Sequence, residues 1–91
     1  MTKKCVLERK FVISNKLGLH ARPAALFVQT ANQFDCDIEV KKGKETVNGK
    51  SIMNIMTLAV GVGTPITIRV CGPDAEKALA ALTKLITTNF G

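Results

Sequence analysis

The segment Cys36-Asp37-Ile38-Glu39-Val40-Lys41 alternates apolar and polar residues without a break, which puts Cys36, Ile38 and Val40 on one face of a β-strand. A strand with only one apolar face belongs to a sheet that is covered on one side and open to water on the other. Ile66, Ile68 and Val70 repeat the pattern against Thr67, Arg69 and Cys71. Lys42-Gly43-Lys44 reads as a turn, and Glu45-Thr46-Val47-Asn48 as a short returning strand, so these segments predict a hairpin. A less perfect alternation from Leu7 to Ile13 predicts one more strand.

Between these strands the period changes. Ala24, Phe27, Val28 and Ala31 fall at i, i+3, i+4 and i+7, a core-facing helical stripe. Leu26 lies off that stripe, either half-covered or part of a docking surface. Ala75, Ala78, Leu79, Leu82, Leu85 and Ile86 form a second stripe, which Gly72-Pro73-Asp74 precedes as a strand stop and helix cap. Ser51 is suited to cap a short helix running to about Leu58. That helix carries Ile52, Met53, Ile55, Met56 and Leu58 on nearly every side, more than a small protein can bury, so some are expected to remain exposed as a partner patch. The order of strand, helix, strand, strand, helix, strand, helix predicts an α+β fold. Its expected core is a split βαβ unit, with the last strand inserted between the first and second.

Length and composition narrow the function. The 91 residues suit one domain spanning the chain, and 46% hydrophobic content is enough for its core. A net charge of +6 allows phosphate-bearing or acidic partners. Nucleic acid is disfavoured, because Trp and Tyr are absent and the four Phe mostly occupy core periods. Cys5, Cys36 and Cys71 are odd in number and form no CxxC, so neither a metal site nor a disulfide framework is expected, and the protein reads as cytoplasmic. Glu8, Arg9 and Lys10 interrupt any signal-like apolar run, and Asn54, Gly61, Gly63, Thr64 and Pro65 break the uncharged stretch from Ser51 to Ile68. No membrane insertion is expected. Gly43 and Gly49-Lys50-Ser51 resemble a P-loop only superficially, because the segment between the two glycines is one residue too long and reads as a strand. A hydrolase built on Cys and His is disfavoured too, since no cysteine sits in a nucleophile setting.

The chemistry concentrates at His20, the only histidine. Pro23 belongs in a first helical turn, so the helix should begin at Ala21 or Arg22 with His20 at its N-cap. The amides of Ala21 and Arg22 then lack intrahelical acceptors and, with the helix dipole, favour an anion. The Arg22 guanidinium adds paired donors for phosphate oxygens. Imidazole is partly neutral near physiological pH and can attack phosphorus without a separate base, so no cofactor is needed. On spacing alone, an ordinary helix cap accounts for His20 as well, and plain capping accounts for Ser51.

Leu17-Gly18-Leu19-His20-Ala21-Arg22-Pro23-Ala24 resembles the active-site signature of the bacterial HPr phosphocarriers, and Val47-Asn48-Gly49-Lys50-Ser51-Ile52-Met53 is similar to the regulatory-serine segment of their kinase-controlled members. The resemblance spans essentially the whole chain. It implies an open-faced sandwich of topology βαββαβα, with four antiparallel strands in order 1-4-2-3 and three helices on one face. By the same resemblance, His20 accepts a phosphoryl group from enzyme I on Nδ1 and donates it to enzyme IIA domains. Arg22 and the helix N-terminus hold the phosphate, and Leu26, Ile52, Met53 and Met56 dock partners. An HPr kinase/phosphorylase would modify Ser51. The implied protein is a monomeric carrier rather than a turnover enzyme. Asn15-Lys16-Leu17-Gly18 is similar to the nitrogen-branch carriers and also to some kinase-regulated HPr proteins, and Asn54 stands where the family usually has glycine. A Ser51-switched binding module without net transfer is the other reading.

Overall fold

A computed structural model describes residues 6–14 and 18–90 of the chain. The elements are β1 (Val6–Val12), α1 (Ala21–Ala31), β2 (Asp37–Lys42), β3 (Glu45–Asn48), α2 (Ile52–Thr57), β4 (Pro65–Cys71) and α3 (Ala75–Thr87). The four strands form one sheet in the order β1-β4-β2-β3, with every neighbouring pair antiparallel. β4 is thus inserted between β1 and β2, as the sequence predicts.

The alternation in β2 and β4 explains where the core lies. Val40 pairs with Ile68 and Ile38 with Val70, so their side chains share one face, where each is at most 2% exposed. The stripes of α1 (Ala24, Phe27, Ala31) and α3 (Ala78, Leu82, Ile86) close over that face. Burial of a side chain the size of Phe27 or Leu82 contributes about 1.5–3 kcal/mol relative to leaving it exposed. Val28, on the predicted stripe, is only half-buried.

β1 is an edge strand. Leu7 and Phe11 pack partly against the core, and Arg9 between them reaches α3, where its Nη1 lies 3.5 Å from Thr83 Oγ1. A charge on the inward side of an edge strand discourages pairing with another chain. On the opposite face Glu8 and Arg69 form an exposed ion pair at 3.7 Å.

Several strand boundaries differ by a residue from the sequence reading. The first strand ends at Val12, and Ile13 leaves the ladder to bond Thr64 O through its amide (3.1 Å) and Gly63 N through its carbonyl (2.7 Å). The second strand starts at Asp37, with Cys36 still facing the core at 8% exposure. The predicted helix cap falls where expected, at Asp74, although its side chain does not do the capping. Asp74 stands at the N-cap of α3, but its backbone (φ −100°, ψ 18°) is not extended and its side chain makes no capping bond. The carboxylate instead accepts from Asp35 N at 2.8 Å, tying the turn after α1 to the turn after β4. Gly72 permits this close approach, since a Cβ there would lie 2.8 Å from Cys36 Cα.

Candidate functional site

α1 begins at Ala21 with His20 at its N-cap, in extended backbone (φ −86°, ψ −166°). The His20 carbonyl accepts from Ala24 N at 2.9 Å, which closes the first turn. Its imidazole is exposed and makes no capping bond. Pro23 is buried and has no amide hydrogen, while Ala21 and Arg22 are exposed and their amides lie in the first turn, where no intrahelical acceptor exists. The structure therefore gathers an imidazole, a guanidinium and a helix N-terminus within three consecutive residues.

The loop that delivers His20 is held through its backbone. Gly18 adopts φ +67°, and a Cβ there would stand 2.3 Å from Val60 O and 2.7 Å from Gly61 Cα. Leu19 is buried, and its amide donates to Val60 O at 2.8 Å. The segment after α2 is thus the seat of the loop that precedes His20, a relation the sequence reading did not identify. Leu17, on which the similarity to nitrogen-branch carriers turns, lies outside the described residues, as do Asn15 and Lys16.

Ser51 caps α2. Its Oγ accepts from Asn54 N at 3.3 Å and from Asn54 Nδ2 at 2.9 Å. Asn32, the C-cap of α1, donates to Lys50 O at 3.3 Å, so the start of α2 lies beside the end of α1. The end of α2 leads to Val60, which touches Leu19 near the start of α1. His20 and Ser51 therefore stand towards opposite ends of the α1–α2 pair, with the body of α2 between them. Ile55 and Leu58 are buried, whereas Ile52, Met53 and Met56 are 40%, 71% and 45% exposed. Leu26 is half-buried and packs partly against the core.

Burial pushes the Cys36 thiol up, disfavouring its thiolate. Among the described residues there is no group of three or more His, Cys, Asp or Glu able to hold a metal ion. No described helix is long and apolar enough to cross a membrane.

Residues 7–88 match the family model described as the PTS HPr component phosphorylation site. The chain belongs to the HPr family. Its curated relatives include the phosphocarrier protein HPr of Neisseria meningitidis serogroup A, 48% identical over 94% of this chain and 97% of that protein. Another relative, the HPr-like protein Crh of Bacillus subtilis, is 47% identical over 85% of this chain and 91% of Crh. Among solved structures, HPr of Thermoanaerobacter tengcongensis superposes with a TM-score of 0.91 at 50% identity, covering 93% of this chain and 96% of that one. A dimeric HPr structure from the same organism gives 0.76 at 52% identity, covering 89% and 93%. The family includes the phosphocarrier HPr of the phosphotransferase system as well as HPr-like Crh, and the sheet order and helix placement described above are those of the HPr fold.

Proposed function

We propose that this chain carries a phosphoryl group on His20 within the bacterial phosphotransferase system, in the cytoplasm. The observation that carries the reading is the exposed, uncapped imidazole at the N-cap of α1, directly followed by Arg22. Nδ1 attacks the phosphorus held on a histidine of enzyme I, and the donor's P–N bond breaks as the new one forms. The amides of Ala21 and Arg22 and the Arg22 guanidinium stabilise the charge on the transferring oxygens. An enzyme IIA domain then removes the group by the reverse chemistry. Because the group must leave as readily as it arrives, an exposed site suits a carrier better than a deep pocket.

Ile52, Met53 and Met56 form the docking surface in this reading, with Leu26 at its margin because half of it is already covered. The transferring species is a monomer. Since a related HPr has been solved as a dimer, sedimentation of the free protein and of its mixture with enzyme I tests that point.

The deciding experiment is intact mass after incubation with enzyme I and phosphoenolpyruvate, in parallel with His20→Ala. One added phosphate that brief acid removes and the variant lacks is the expected result. Labelling of His20→Ala to the same extent, or none on the wild type with a competent enzyme I, would falsify the assignment.

Ser51 supports a second, regulatory role. It caps the helix that carries the exposed apolar patch, and the relatives include the HPr-like protein Crh, which a solved structure describes as catabolite repression HPr. Phosphorylation by an HPr kinase/phosphorylase would set a dianion beside Ile52 and Met53 and weaken docking of an acidic partner. Unchanged partner affinity of Ser51→Asp in calorimetric titration would remove this role.

A further inference from the structure

Lys42 reads in the sequence as part of a turn, yet it is the last residue of β2 and follows the same alternation as buried Ile38 and Val40. Its ammonium donates to two carbonyls, Leu58 O at 3.1 Å and Ala59 O at 2.9 Å. Leu58 is the C-cap of α2, and α2 has no basic residue in its own last turn. The negative end of the helix is therefore met by a cation from the sheet. Ala59 adopts φ +56°, a left-handed conformation in which a helix usually ends on glycine and which strains a residue carrying a Cβ. Val60 follows, and its carbonyl receives the amide of Leu19, the residue before His20.

We propose that Lys42 is a positioning residue for His20. By gripping the carbonyls of Leu58 and Ala59, it holds the strained turn that presents Val60 O to Leu19, and so fixes the loop from which the imidazole projects. It also neutralises the negative end of α2 where that helix meets the active loop, which favours an approaching phosphoryl group. The purpose of this positioning rests on the reading of His20 as the phosphoryl acceptor.

The test compares backbone amide exchange in the wild type, Lys42→Met, Lys42→Arg and the double variant Lys42→Met/Ala59→Gly. The Leu19 amide should exchange about tenfold faster in Lys42→Met, with the core amide of Ile68 unchanged. Lys42→Arg should stay near the wild type. The double variant should recover part of the protection, because glycine takes the left-handed turn without strain. With phospho-enzyme I as donor, Lys42→Met should lower kcat roughly tenfold and leave KM nearly unchanged, since the exposed face of α2 is intact. Equal Leu19 exchange in wild type and Lys42→Met overturns the proposal. So does equal acceleration at Leu19 and Ile68, which would mark a global loss of stability. A wild type that enzyme I cannot label overturns the carrier reading and the purpose assigned to Lys42, while the exchange arm still decides whether Lys42 holds the loop.

Discussion

His20 and Ser51 are both N-caps in extended backbone, but they use that position in opposite ways. The Ser51 hydroxyl is committed to structure, accepting two hydrogen bonds from Asn54. The imidazole of His20 makes no capping bond. Helix length explains the difference. α1 has 11 residues and is fastened by buried Pro23, Ala24, Phe27 and Ala31, whereas α2 has six and buries only Ile55 along its length. A helix held by a long apolar stripe can leave its N-cap side chain available for chemistry, but one of six residues needs its cap to persist.

The largest effect that would break this contrast comes from His20→Ala. It should abolish acid-labile labelling while changing unfolding free energy by no more than about 0.5 kcal/mol, the scale of surface substitutions. A clear loss of stability in thermal or urea unfolding would mean that the imidazole is structural after all. Next in size is a pair of glycines. Gly18→Ala and Gly43→Ala both place a Cβ at positive φ (+67° and +59°), but only Gly18 faces backbone, and nothing lies within 4 Å of the Cβ position at Gly43. We expect about 1 kcal/mol for Gly43→Ala and at least about 2 kcal/mol for Gly18→Ala, together with reduced phosphoryl acceptance in the latter alone. Equal losses would show that the seat on Val60 and Gly61 contributes nothing beyond backbone conformation.

Much of this was legible in the sequence because burial on one face imprints a period. The alternation in β2 and β4 and the stripe of α3 predicted the sheet and its cover, and Pro23 and Ser51 predicted where α1 and α2 begin. The bond made by the Asp74 side chain was not foreseen, because a local capping signal does not reveal that Asp35 N, brought close by the fold, competes for its carboxylate. Lys42 was missed for a similar reason. Its acceptors lie 16 and 17 residues onward, and only the folded chain brings the end of β2 to the end of α2. Hydrogen bonds between distant segments leave no periodic trace.

Ser51→Ala sharpens the comparison from the other side. Removing the cap should destabilise the protein by about 1 kcal/mol while leaving His20 competent for labelling. Ser51→Asp should lose less, because aspartate is itself a good N-cap, so a change in its partner binding would report the added charge rather than a frayed α2.

The smallest effect should come from Asn54→Ala, where two contributions oppose each other. The substitution removes the bond from Asn54 Nδ2 to Ser51 Oγ, while the amide of residue 54 continues to donate. Loss of one exposed hydrogen bond costs about 0.5–1 kcal/mol, and replacing asparagine by alanine inside a helix returns up to about 0.7 kcal/mol of intrinsic propensity. Urea unfolding should therefore place Asn54→Ala within about 0.5 kcal/mol of the wild type, well short of Ser51→Ala. If the two variants lost the same stability, the carboxamide would be the essential partner of Ser51, and α2 would depend on a side-chain pair rather than on a backbone cap.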